Sequence, residues 1–136
     1  MRSRNSLMLV LVLLLGCSMV QERDAQACVA DICYDIAVAQ TQEEQSIGFM
    51  HDDPRIDGIL FLFDKADAYC FWMKNTSMPL MILWLDDQDV VRHIEHGAPY
   101  DESLLCPRIR SSKVLELRSS LDPHIIIGTR IEFPVR

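Results

Sequence analysis

The chain has 136 residues, with 13 basic against 20 acidic side chains and a net charge of −7. No Lys/Arg cluster is present to neutralise phosphates, so nucleic acid is excluded as a partner, and an acidic surface does not adhere to anionic lipid either. At 49% hydrophobic residues, the chain has enough apolar side chains for the core of one ordinary domain.

Arg2 and Arg4 precede an unbroken apolar run, Leu7 to Leu15, that stops at Gly16-Cys17. A membrane-spanning helix needs about 20 apolar residues, so this shorter run reads as the apolar centre of a signal peptide. Its end, Leu14-Leu15-Gly16-Cys17, resembles the bacterial lipoprotein box. That resemblance implies cleavage before Cys17, with residues 1–16 removed and Cys17 carrying the lipid. Several acyl chains hold a protein stably at a membrane where one does not. The competing reading is an ordinary signal peptide cut after Ala25-Gln26-Ala27, an A-x-A-like site. Loss of Arg2 and Arg4 leaves 11 basic against 20 acidic side chains, a net charge of −9. Residues 17–27 then form the lipidated cysteine and a polar tether, and residues 28–136 a single β-rich domain. Ser18, where Asp would be the other signal, resembles outer-membrane sorting in a Gram-negative cell. The expected location is therefore the periplasmic face of the outer membrane, with the membrane engaged through the N-terminal lipid.

Ile32, Tyr34, Ile36 and Val38 alternate with Cys33, Asp35 and Ala37, the period-two pattern of a half-buried first strand. Thr41-Gln42-Glu43-Glu44 supplies a capping box for a helix of two to three turns that carries Ile47, Phe49 and Met50. A polar loop from His51 to Gly58 follows, with Pro54 inside it. Ile59–Phe63, Tyr69–Lys74 and Met81–Leu85 are each strand-length and rich in aromatic or branched residues, which predicts central strands. Asp86 to Asp89 is a turn, and Val90–Glu95 its hairpin partner. Gly97–Ser112 is a long irregular stretch that points to function or to a bridge between two sheets. Val114–Arg118 and Thr129–Phe133 complete the strands, and Leu121–Ile127 fits either a short helix or a strand. About seven short strands with one or two short helices predict a mainly β fold, a jelly-roll-like sandwich or partly open barrel.

Besides Cys17 there are four cysteines, Cys28, Cys33, Cys70 and Cys106, in a chain bound for an oxidising compartment, which predicts disulfides. Three connectivities are open, and Cys70–Cys106 is favoured because it closes a long loop worth about 3–4 kcal/mol in the chain-entropy model. The spacings match no zinc ribbon or finger.

Phe71-Trp72-Met73-Lys74-Asn75-Thr76 stands out, because strand packing alone does not call for a large ring, a cation and two hydrogen-bonding side chains so close together. In order along the chain, Thr41-x-Glu43-Glu44, Gly48-Phe49-Met50, Gly58 to Phe63, this hexapeptide, Pro79-Leu80 and Val114-Leu115-Glu116 resemble the DUF192 family over about residues 30–133. The resemblance implies a compact jelly-roll-like β domain, often exported, and no assigned activity. It also implies arginine where this chain has Ile47 and Asp52, and aspartate where it has Met81. Three charged positions are absent here, so a ligand set built on them would not carry over.

Trp72, Lys74, Asn75, Thr76 and Glu116 are the candidate ligand-binding residues. An indole face stacks on sugars or aliphatic groups while ammonium and amide groups fix oxygens. Glu116 faces away from Leu115 and Leu117, where it is placed to pair with Lys74 across the sheet. The competing reading makes Trp72 a core ring and Asn75-Thr76 a turn. On a strand, His93 and His96 point to opposite faces, His51 with Asp52 and Asp53 supplies too few ligands for a cation, and His124 has no evident partner. No metal or cofactor is expected. Gly-x-Ser-x-Gly, Walker and His-Glu-x-x-His motifs are absent. The expected function is a small-ligand or polymer binding module of the envelope. The alternatives are an enzyme acting on an envelope glycan or polymer, with Glu116 or Asp86 as acid or base, and a structural partner of an envelope complex.

Overall fold

The computed structural model describes residues 25–50, 52–121 and 124–134. The signal segment, Cys17, most of the tether and His51 lie outside these residues. Six strands form one mixed sheet: β1 (Ala25–Val29), β2 (Ile32–Ala39), β3 (Gly58–Asp67), β4 (Leu80–Leu85), β5 (Val91–Gly97) and β6 (Ser111–Arg118), in the order β1-β2-β3-β6-β4-β5. The fold is mainly β, an open sheet covered on both faces. Only β2 and β3 run parallel. A parallel pair cannot be joined by a tight turn, and the connection carries the helix α1 (Gln42–Ile47).

The alternation read in β2 holds only at its centre, where Tyr34 and Ile36 are buried and Cys33 and Asp35 exposed; Ile32 is exposed at the sheet's edge hairpin, and Ala37 is buried in the core of the opposite face. The capping box also forms, with Thr41 Oγ1 accepting from the Glu44 N–H and Glu44 Oε2 accepting from the Thr41 N–H. The helix has only six residues, fewer than the expected two to three turns, because Gly48 turns to φ +48° and closes it. Asp86 Oδ1 accepts from the N–H groups of Gln88 and Val90, which shapes the β4–β5 hairpin at the expected turn.

Three expectations change. The last residues of the segment read as tether, Ala25–Ala27, belong to β1, where Ala27 is buried opposite Tyr34 and a Cys28–Cys33 disulfide ties the hairpin. Tyr69–Lys74 is not a strand, since its one β-bridge among the described residues is Phe71–Leu105. Both of the strands it would pair with, β6 and β4, already have two neighbours, so its aromatic residues pack on the sheet face instead of extending the sheet. Thr129–Phe133 likewise contributes only single bridges, at Arg130 and Glu132. Ser119–Leu121 is a 3₁₀ turn, and the described residues after it are irregular.

The two faces carry separate cores. Ala27, Tyr34, Ile36, Leu83, Leu115 and Leu117 face Ile125 and Ile131 from the C-terminal segment. On the opposite face Ile59, Phe61, Ile82, Trp84 and Val114 face Phe49 and Met73, which come from the segment after α1 and from the Tyr69–Thr76 strip. No helix among the described residues is long and apolar enough to cross a membrane.

Candidate functional site

The second core contains one carboxylate. Glu116 lies in β6 between Ile59 of β3 and Ile82 of β4, on the same face as Val114, and is only 4% exposed. No described group donates a hydrogen bond to it and no cation pairs with it, so burial alone pushes its carboxyl up to about 8. The expected Lys74–Glu116 ion pair does not form. The two residues nevertheless line the same recess of about 40 Å³, closed by the segment after α1 on one side and by Trp72 and Thr76 on the other.

Each wall has a local cause. Gly48 brings its backbone close to Glu116: a Cβ there would stand 3.8 Å from Glu116 Oε2 and 3.5 Å from the Phe61 ring. The left-handed φ of Gly48 also favours glycine. Opposite, Met73 is fully buried and anchors the strip, which is possible because Gly97 lacks a Cβ that would collide with the Met73 side chain. Trp84 Nε1 donates to the Tyr69 carbonyl at 3.0 Å, and the Cys70–Cys106 disulfide clamps the strip to the segment after β5. Both disulfides are formed, and the favoured Cys70–Cys106 pairing is one of them. Two such bonds place the protein in an exported, non-cytoplasmic compartment.

With Met73 inward, its neighbours point outward. Trp72 is 43% exposed and is not a core ring; the Lys74 ammonium sits 4.9 Å from its centroid. Thr76 is buried, its hydroxyl donating to the Lys74 carbonyl at 3.3 Å. Asn75 adopts φ +54°, a conformation asparagine tolerates, and is exposed in the turn outside the recess. The structure therefore brings together Trp72, Lys74, Thr76 and Glu116 but not Asn75.

The recess adjoins a cleft of about 290 Å³ between α1 and the strip, sharing Gln45, Ser46, Phe61, Phe71 and Trp72 with it. Phe63 and Tyr69, stacked with centroids 3.7 Å apart, continue the aromatic wall, and Phe61 meets Phe71 edge to face at 5.0 Å. Gln45 is fixed as a polar wall residue, its Nε2 donating to the Leu62 carbonyl at 2.8 Å. Sequence reasoning missed Gln45, Gly48 and the aromatic wall as site residues. The Gly48-Phe49-Met50 block was the available signal, but nothing local showed that it faces the hexapeptide.

A larger cavity of about 480 Å³ lies on the other side of Phe49, and its charges are paired: Asp53 with Arg55, and Asp52 with Arg118 at 2.7 Å. At Asp52, where the family resemblance implies arginine, the charge is thus inverted and neutralised by Arg118. Asp86 sits beyond the end of β4, four residues from Ile82, the partner of Glu116, which is about 13 Å at the strand rise. It is bound to Arg92 at 2.7 Å, so it makes no acid pair with Glu116. His93 contacts Glu95 at 2.9 Å, and no group of three metal-ligating side chains occurs among the described residues.

A mainly β domain with an aromatic cleft and a buried acid at its end defines the class. The chain belongs to the DUF192 family, described as "Uncharacterized ACR", whose model matches residues 24–133. It is similar to the crystal structure of a protein of unknown function from Novosphingobium aromaticivorans DSM 12444, at 29% identity and TM-score 0.69, covering 79% of this chain and 82% of that one. It is also similar to a Sinorhizobium meliloti 1021 protein described as a "putative transcription regulator", at 25% identity and TM-score 0.69, covering 80% and 91%. No curated protein matches the chain.

Proposed function

We propose that the protein is a lipid-anchored binding module of the bacterial envelope that takes a small ligand, or the end of a polymer, in the cleft between α1 and the Tyr69–Thr76 strip. The observation that carries this reading is Glu116: a carboxyl 4% exposed, without a protein hydrogen bond, at the end of an aromatic cleft. No fully buried side-chain oxygen lacks a partner among the described residues, so the Glu116 carboxyl is reached from the recess, and a ligand there can supply the hydrogen bonds that the protein does not. A single acid in the recess supports binding over two-carboxylate glycan hydrolysis.

Anchoring through Cys17 on the periplasmic face of the outer membrane is part of the same proposal. It is supported by the lipoprotein-like box and by β1, since cleavage after Ala27 would remove three of the five residues of a paired strand. Mass spectrometry of the exported protein tests this, and an unmodified N-terminus at Cys28 would refute it.

A thermal-shift screen of the oxidised protein against envelope glycans, peptides and small organic molecules tests the binding reading. The expected result is a ligand-specific rise that disappears in Trp72→Ala and Lys74→Ala while the melting temperatures of the unliganded variants stay near that of the parent, because Trp72 is exposed and Lys74 half-buried. No rise with any compound would sink the module and turn attention to a protein partner.

A further inference from the structure

We infer that the ligand carries a carboxylate head on a planar apolar body, the head entering the recess between Lys74 and Glu116 and the body lying against Phe71 and Trp72. This rests on the reading of the cleft as a binding site and gives it a ligand class.

Size decides first. A water-sized group occupies on the order of 10–15 Å³ of such space, so the 40 Å³ recess admits roughly two or three, which is a carboxylate or an amide and not a sugar ring. Donor chemistry decides next. The Lys74 ammonium has no carboxylate partner among the described residues and is held only over the Trp72 ring. Glu116 keeps its proton at neutral pH through burial, so it offers an O–H donor and no charge. Thr76 has committed its hydroxyl proton to the Lys74 carbonyl, and Gln45 has committed its amide to Leu62. Lys74 and Glu116 are therefore donors, one of them cationic, on the wall of a recess without a fixed anion. An anionic acceptor with two oxygens satisfies both, whereas a ligand cation would meet the Lys74 charge and force Glu116 to ionise in an apolar wall. The acidic chain as a whole does not reverse this, since exposed charges are screened beyond about 8 Å at physiological salt. The aromatic wall supplies the other half, because flat rings pack best on flat apolar surfaces.

Titration of the oxidised protein with sodium benzoate, followed through the Trp72 indole resonance in NMR, tests the inference beside benzamide, benzyltrimethylammonium and glucose. Benzoate is expected to bind about tenfold more tightly than benzamide, the difference made by one charge-assisted hydrogen bond. Lys74→Met should abolish that preference with an unchanged melting temperature, and Glu116→Gln, which keeps a donor, should hold benzoate within a few-fold of the parent. Equal affinity for benzoate and benzamide, a preference for the ammonium, or a preference that survives Lys74→Met would overturn the carboxylate. Binding of glucose alone would overturn it too while leaving the binding module standing, and binding of none of the probes would overturn both.

Discussion

Replacing Glu116 with glutamine should change how stability depends on pH more than it changes the fold. The carboxyl moves from 4.5 in the unfolded chain to about 8 in the folded one, and burial is the cause. Because the folded value is raised, the native state holds a proton the unfolded chain has lost. The stabilising contribution is complete below about 4.5 and is lost as pH rises towards about 8. Each pH step inside that window costs about 1.4 kcal/mol, and the loss between pH 5 and 7 comes to about 2–3 kcal/mol. Glu44, Asp67, Asp86 and Asp101 act in the opposite sense. Hydrogen bonds from backbone N–H groups hold each of them below its usual value, so their contribution is present at neutral pH and fades in acid. Glutamine is nearly isosteric and does not titrate. Urea denaturation at several pH values between 5 and 8, on parent and Glu116→Gln together, isolates the difference. The variant should match the parent within about 1 kcal/mol at pH 5 and exceed it by about 2–3 kcal/mol at pH 7. Parallel curves across the window would mean that Glu116 ionises normally, and the account of a buried, unpartnered acid would be wrong.

Gly97→Ala should destabilise the domain by about 1–3 kcal/mol, because the new methyl must displace the fully buried Met73; chemical denaturation reads this directly, and a neutral change would show that the strip is not seated as described. The pair Cys70→Ser, Cys106→Ser should cost about 4 kcal/mol and Cys28→Ser, Cys33→Ser about 2 kcal/mol, on chain entropy for loops with sequence separations of 36 and 5. Equal losses in the two double variants would argue against that mechanism. Thr41→Ala should cost about 1 kcal/mol through loss of the helix cap, with a matching fall in denaturation midpoint.

Much of this architecture is legible one residue at a time. The alternation at the centre of β2, the capping box at Thr41 and Glu44, and the polar turn before β5 are local signals, and local chemistry produced each of them. The same reading failed at Tyr69–Lys74, where strand-like composition reflects burial of Phe71 and Met73 against a sheet face and not pairing within the sheet. Composition reports that a side chain is buried and says little about which surface buries it. β1 was hidden for a related reason: Ala-Gln-Ala-Cys-Val is too small and too polar to alternate visibly, and its pairing comes from β2 and the bridge to Glu132. At the site, the identities of Trp72, Lys74, Thr76 and Glu116 were readable, but their relation was not. Glu116 and Lys74 were expected to neutralise one another, and the fold instead sets both on the wall of one recess without pairing them.

The Cys70–Cys106 bond acquires a further meaning from its position. Cys70 lines the aromatic cleft, and this bond fastens that wall covalently to the neighbouring segment, beside the paired Phe71 and Leu105 backbones and the hydrogen bonds from the Met73 N–H to the Asp101 carbonyl and from the Tyr100 N–H to the Thr76 carbonyl. In a reducing compartment the wall loses its covalent fastening, and the sheet beneath it loses the Cys28–Cys33 tie of the β1–β2 hairpin while keeping its strand pairing. Reduction thus removes stability from the sheet and from the cleft wall alike, with the larger share taken at the wall, whose placement depends most on an oxidising compartment.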